Sequence, residues 1–485
     1  MERRTFLHTT GLAFAALSAG GCITRPLPDR SFSRAVGYGP LVPDSQGLLD
    51  LPTGFSYQVV SSLGDAMTDG AAVPDKADGM GCFDLGDGRL ALVRNHELVS
   101  TDESGGVFSA GFGTKDGQFI PGGTTHVVLD KDTLEVLDQF RSLGGTMRNC
   151  SGGITPWGSW LTCEESTTGP GLKYGEGLNQ YHGWVFDVPA AATGLVDPAP
   201  LKALGRFNHE AACVNPNTGL VYLTEDRDDS VLYRFIPAVP GDLTRGGRLQ
   251  AMKVEGAPDL RNWSGFSTAV GSVGEVSWID LDEVEAPGDD LRHRAAAKGA
   301  SLVARGEGIH MGDGEAFICS TSGGARRLGQ IFRLTFSNDG TSDSLELFFE
   351  SVSKHQFDYG DNLVVAPNGH LIVCEDQYTE VVDNHLRGIA PDGNAYPLAR
   401  LRLQTELAGA CFSPDGQTMF VNVYAPTKTL AITGPWDSFN AKTISVSRAH
   451  WLCSGLTKQG RTELHDRHGL SLSNGPAADD FCINT

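Results

Sequence analysis

Positive charge is scarce in this sequence. Its 485 residues carry 38 Lys+Arg against 59 Asp+Glu, for a net charge of −21, and no Lys/Arg-rich run. Such a chain repels a phosphate backbone, which excludes nucleic acid as a partner. Long apolar runs are missing too: beyond the N-terminus nothing approaches the roughly 18 uninterrupted apolar residues of a membrane span. Helical periodicity is rare. No Gly-x-Ser-x-Gly presents a nucleophilic serine, and no His-Glu-x-x-His spacing offers a zinc site. What remains to be explained is the excess of carboxylates, either as a solvated surface or as a site for cations.

The N-terminus reads "ERRTFLHTTGLAFAALSAGGC", with Arg3-Arg4, then Phe6-Leu7, then a short apolar stretch ending near Cys22. This resembles a twin-arginine export signal, whose machinery carries folded proteins and so suits a chain that acquires its cofactor before export. Residues 1–30 are read as signal and linker, and the mature chain as periplasmic or secreted, with no membrane span once the signal is removed. Cys22 offers a lipid anchor, which would make the chain a lipoprotein, although Ala19-Gly20-Gly21 lacks the Leu that usually precedes one. Of the 10 cysteines, those beyond Cys22 are odd in number. Cys453 and Cys482 are candidate disulfide partners in an oxidising compartment. Cys163, Cys319 and Cys374 each end a short apolar strand and read as buried thiols; Cys150 does not share that setting.

Six segments resemble one another: "CFDLGDGRLALVRNHE" from Cys82, "CSGGITPWGSWLTCEES" from Cys150, "AACVNPNTGLVYLTEDR" from Ala211, "IHMGDGEAFICSTS" from Ile309, "LVVAPNGHLIVCEDQ" from Leu363 and "GACFSPDGQTMFVNVY" from Gly409. Each is an apolar strand, a Pro/Asn/Asp/Gly turn and a second alternating strand, the pattern of a β-hairpin. Their repetition predicts an all-β fold, a six-bladed β-propeller over residues 40–437, with residues 40 to 60 closing the first blade onto the last. Residues 438–485 are a C-terminal extension with no assigned chemistry.

Aligned on the turn glycines Gly88, Gly158, Gly219, Gly314, Gly369 and Gly416, the hairpins carry polar groups at matching offsets. Six residues later stand Arg94, Glu164, Glu225, Ser320, Glu375 and Asn422; the next positions are Asn95, Glu165, Asp226, Thr321, Asp376 and Val423. Ahead of each glycine come Asp78, Cys150, Glu210, Glu307, Asp361 and Glu406. Innermost propeller strands converge on one axis, so five carboxylates and a thiol would meet in a central channel. Crowded, dehydrated anions persist only if they protonate or bind cations. Carboxylates suit hard ions and a thiolate suits a softer transition metal, so Cys150 among acids predicts a mixed metal cluster. Arg305 lies two residues before Glu307, on the same strand face. It would either pair with a carboxylate or grip a tetrahedral phosphate with two parallel hydrogen bonds. His96 and His209 read as supporting rather than ligating groups.

"RNCSGGITPWGSWLTCEES", "GRFNHEAA", "ARGEG", "DNLVVAPNGHLIVCED", "ELAGACFSPDGQTMFVNV" and "TLAITGPW" together resemble the PhoX-type alkaline phosphatases, a twin-arginine-exported family, from about residue 50 to 437. The resemblance implies a propeller whose channel holds ferric iron and calcium, Fe(3+) and Ca(2+), joined through an oxo group, and hydrolysis of small-molecule phosphate monoesters. It further implies Cys150 as the iron-ligating thiolate, Glu210 and Glu307 as carboxylate ligands, and Arg305 as a phosphate contact. Catalysis would rest on Arg305, Cys150 and Glu307, with Asp361, Glu375, Glu406, Glu97 and Glu164 completing the expected ligands. The fourth and sixth hairpins depart from the pattern with Ser320 and Asn422. A calcium-dependent propeller lactonase or phosphotriesterase, or a non-catalytic binding propeller, remain as rival readings.

Overall fold

Short runs of alternating apolar residues, broken by turns that demand a left-handed residue, can only fold back on themselves. In the computed structural model, described over residues 37–265, 268–337 and 342–439, each of the six turn glycines has a positive φ, from 72° at Gly219 and Gly416 to 82° at Gly158, a conformation a Cβ disfavours. The inner strands Ala77–Gly86, Asn149–Ile154, His209–Val214, Gly306–Met311, Gly360–Val365 and Leu407–Phe412 each pair antiparallel with the strand that follows the turn. Further antiparallel strands extend most pairs outward, as Gly122–Asp130 and Val136–Thr146 do in the first.

Each inner strand packs beside the next, and the sixth returns to the first, so the ring is closed. The molecule is an all-β propeller. The N-terminal strand Ser56–Ser62 pairs with Lys428–Thr433 as the outermost strand of the last sheet, with Val59 opposite Leu430, the closure expected of residues near 60. Leu49–Pro52 instead joins the preceding sheet beside Ala395–Leu401. Val273–Asp280 bridges the outer edges of the third and fourth hairpin sheets into nine strands. Full closure leaves no inner edge to solvent.

Apolar side chains fill the spaces between neighbouring sheets, for example Leu161, Val185, Phe207, Leu223 and Tyr233 in one cluster. Each large aliphatic or aromatic residue buried this way contributes about 1.5–3 kcal/mol. Cys82, Cys163, Cys213, Cys319, Cys374 and Cys411 belong to this interior as free buried thiols. No helix among the described residues is long and apolar enough to cross a membrane. The export signal, Cys22, the Cys453-Cys482 pair and residues 440–485 of the extension lie outside the described residues.

Candidate metal centre

The inner hairpins share one irregularity. In the first five, two residues of the inner strand oppose a single residue of its partner, between Ala77/Met80, Asn149/Gly152, His209/Ala212, Gly306/Ile309 and Gly360/Leu363. The first bulged residue is in turn Asp78, Cys150, Glu210, Glu307 and Asp361. A bulge re-aims a side chain that a regular ladder would hold flat to the sheet. Beneath them the strands touch backbone to backbone: a Cβ on Gly79 would sit 2.5 Å from the Cα of Ser151, so glycine is needed there to let the ring close tightly.

A second regularity fixes the outer tier. The N–H groups of Glu97, Glu165, Asp226, Thr321, Asp376 and Tyr424 donate to the carbonyls of Lys76, Arg148, Asn208, Arg305, Tyr359 and Glu406, respectively. The second set forms the rim of the channel, immediately before each inner strand. Glu406 therefore shares the position of Arg148 and Arg305, and in the sixth hairpin the bulge between Ala408 and Cys411 begins at Gly409, which has no side chain to offer as a donor.

These tiers surround a cavity that collects Asp78, Glu97, Cys150, Glu165, Glu210, Asp226, Glu307, Asp361, Asp376 and Glu406, with Arg148, Arg305, Thr321 and Tyr378. Ligand atoms lie within 4.8 Å of one another in three groups: Glu97, Cys150 and Glu165; Glu210, Glu307 and Asp361; Asp361, Asp376 and Glu406. Of the residues singled out from sequence, Asp78, Cys150, Glu210, Glu307, Asp361, Glu406, Glu97 and Arg305 meet here.

Glu164 and Glu375 do not, and their expected role as ligands is corrected. Successive residues of a strand face opposite ways, so the position six after the turn glycine looks between sheets and the one after it looks into the channel. The Glu164 carboxylate accepts from the N–H groups of Met147 (2.8 Å), Gly183 (2.9 Å) and Trp184 (3.1 Å) and contacts His182 Nδ1 at 2.6 Å. Glu375 accepts from Arg387 Nε at 2.7 Å and from the Asp358 N–H at 3.0 Å. Both tie loops to the second strand. Their neighbours Glu165 and Asp376 line the cavity instead, as does Asp226. In the first hairpin the lining acid is Glu97, nine after Gly88, because the strand after that turn is longer: Ala77 pairs with His96, eight after the glycine, where Asn149 of the second hairpin pairs with Glu164, six after its own. Arg148 and Tyr378 complete the lining, and the offsets alone did not single them out.

His96 is held by the Asp75 carbonyl and Thr125 Oγ1, each at 2.9 Å. His209 contacts the Gly205 carbonyl at 3.0 Å and stacks on Phe207 at 3.6 Å. Both support the walls and face away from the acids.

Charge is badly unbalanced in the cavity. Nine carboxylates and a thiol face two guanidiniums. Arg148 pairs with Glu97 and Glu165, both at 2.6 Å; Arg305 pairs with Asp226 at 2.7 Å and Glu307 at 2.8 Å. Tyr424 Oη donates to Glu97 Oε2 at 2.6 Å. Glu210 is fully buried and neither of its carboxylate oxygens has a partner; Asp78 Oδ1 is likewise unpaired. Burial pushes the Glu210 carboxyl well above the carboxylate range, and the charges of Glu307 and Asp361 push it further. Burial, then Asp78 and Glu210, raise the Cys150 thiol in the same way. Without cations such groups must hold protons; multivalent cations reverse that preference and deprotonate them.

The sequence matches the alkaline phosphatase PhoX family over residues 36–427. The chain belongs to this family. PhoX-family membership makes it a phosphoric monoester hydrolase of the alkaline phosphatase type. Among solved structures, Pseudomonas fluorescens PhoX in complex with vanadate covers 82% of this chain and 98% of its own, with 17% identity and a TM-score of 0.64, a likeness of fold. A gluconolactonase of Xanthomonas campestris covers 83% of this chain and 99% of its own, at 13% identity and a TM-score of 0.37, too low to bear on this PhoX-family chain. No curated protein matches it.

Proposed function

We propose that this PhoX-family chain is exported through the twin-arginine route and hydrolyses phosphate monoesters at a mixed centre of ferric iron and calcium in the channel. The observation that carries the reading is Glu210, completely buried with both carboxylate oxygens unpaired. An anion so placed costs several kcal/mol unless a cation is beside it. The donor set fits two kinds of ion. Cys150, with Glu97 and Glu165 in reach, is the one thiol among the cavity ligands and suits iron; the all-carboxylate groups around Glu210, Glu307 and Asp361, and around Asp361, Asp376 and Glu406, suit calcium.

When bound, such ions would supply Lewis acidity toward the phosphate oxygens and activate water for attack on phosphorus. The chain's own part is to hold and orient the ester. Arg305 presents a guanidinium at the mouth, held by Asp226 and Glu307, where it would donate to phosphate oxygens and stabilise the added charge of the transition state. Arg148 sits at the matching rim position. The buried walls exclude water, which strengthens these contacts. Pseudomonas fluorescens PhoX binds vanadate, a transition state analogue, and the same role for the cavity is supported here by the two guanidiniums facing the acids.

Elemental analysis of protein matured in the cytoplasm, with phosphatase assays on the same sample, tests the proposal. Iron plus calcium with turnover is expected. Calcium alone would favour a lactonase or phosphotriesterase, and neither metal would favour a binding module.

A further inference from the structure

Tyr378 combines two properties that no other described residue combines. It is an exposed large hydrophobic, 63% accessible, and it lines the acidic cavity. Its ring lies under the guanidinium of Arg305, 5.1 Å from centroid to carbon, and its hydroxyl accepts from Arg305 Nη2 at 3.2 Å. Tyr359 meets it edge to face at 5.7 Å. Tyr359 occupies the rim position of its hairpin, where the other hairpins carry Lys76, Arg148, Asn208, Arg305 and Glu406. The rim is thus polar except on this side.

The segment carrying Tyr378 is tied down. The Gln377 N–H donates to Asn384 Oδ1 at 3.0 Å, the Asp383 N–H to Gln377 Oε1 at 3.0 Å, and the Val382 N–H to Gln404 Oε1 at 3.1 Å. An aromatic face held out in water beside the group that grips the reacting anion is positioned to be covered by the rest of the ester. Binding of a remote, non-reacting part of a substrate also helps to orient the reacting centre.

We infer that Tyr378, buttressed by Tyr359, is the platform for the alcohol half of the phosphoester, and that it makes the enzyme select monoesters of aromatic alcohols over those of small aliphatic ones. The inference rests on the phosphatase reading of the same cavity. The bond broken is the ester P–O bond in either case, water supplying the incoming oxygen and the alcohol leaving with a proton, so selectivity comes from the ring contact alone.

The test compares benzyl phosphate with propyl phosphate, two esters of primary alcohols, on the metal-loaded enzyme. Wild type should show the higher kcat/KM on the benzyl ester. Tyr378→Leu should lower kcat/KM for the benzyl ester about five- to ten-fold more than for the propyl ester, the size expected of one aromatic contact. Tyr378→Phe, which keeps the ring and loses only the hydroxyl contact to Arg305, should retain the ratio. An equal loss on both esters in Tyr378→Leu, with wild-type turnover intact, would overturn the platform and leave Tyr378 as a support for Arg305. Absence of wild-type turnover on either ester would overturn the phosphatase reading, and the platform with it.

Discussion

Arg148 and Arg305 hold the same position in two hairpins and do the same thing there. Each has φ of 50°, each stands two residues before a bulged donor, Cys150 or Glu307, and each sends its guanidinium back to the channel-facing acid of the preceding hairpin, Glu97 or Asp226. A left-handed arginine costs about 1 kcal/mol or more, a strain that gathers at functional sites. Here it turns two cations toward the mouth of an acidic cavity.

Arg305→Ala should lower kcat/KM on a simple monoester by about 100-fold or more, with iron and calcium content unchanged by elemental analysis. Arg305→Lys should recover only part of this, since an ammonium cannot make the paired contact. Unchanged kinetics would remove Arg305 from the reaction.

In Cys150→Ser, iron and phosphatase activity should vanish together while the far-ultraviolet β-sheet spectrum persists. The thiol is buried and its nearest partner is Asp78 Oδ2 at 3.5 Å, so the substitution removes a soft ligand without opening the core. Activity that survives the change would sink the iron assignment.

Removing calcium with a selective chelator should abolish turnover and lower the melting temperature, and adding it back should restore both, because an ion that binds only the folded state stabilises it. A fully active calcium-free enzyme would exclude calcium from the mechanism.

Glu375→Ala should cost stability without changing the ions bound per folded molecule. Its carboxylate is wholly buried against Arg387, and breaking such a pair from one side costs about 3–5 kcal/mol. Chemical denaturation and elemental analysis on the same preparation check both halves. Lost metal with unchanged stability would restore Glu375 to the ligand set.

Acid should weaken the fold before it protonates the surface acids. Burial pushes His126 down from 6.5 to about 4, with the carbonyls of Ala190 and Pro189 opposing the shift only in part. The unfolded chain then takes up a proton near pH 6.5 while the folded protein does not, so stability is full above that pH and is lost as the pH falls toward 4. The loss is on the order of 3 kcal/mol. His126→Phe, which keeps the stacking on Phe140, should flatten the stability profile across that window; an unchanged profile would discount His126.

Hairpins, closure and most of the acids were legible from residue order because they depend on local rules. A turn that needs a left-handed residue takes glycine, strands alternate with period two, and a repeat makes the rule visible six times. The offsets went astray where geometry departs from a simple count. The longer second strand of the first hairpin, where Ala77 pairs with His96, moved the first lining acid to Glu97, and alternation assigned Glu164 and Glu375 to the spaces between sheets while Glu165 and Asp376 took the channel. Tyr378 carried no signal of its own: it lies in a loop outside the repeated register, and only the fold brings it under Arg305.

From the sequence alone followed the all-β class, the repeated hairpin and the thiol among acids at Cys150, since each rests on residues close together in the chain. The tertiary structure decided which of two adjacent carboxylates faces the channel, that Glu406 enters from the rim beside the arginines, and that Glu210 is left buried without a partner. Those outcomes depend on how six strands distant in sequence close around one axis, and burial and charge are set by that closure rather than by any single hairpin.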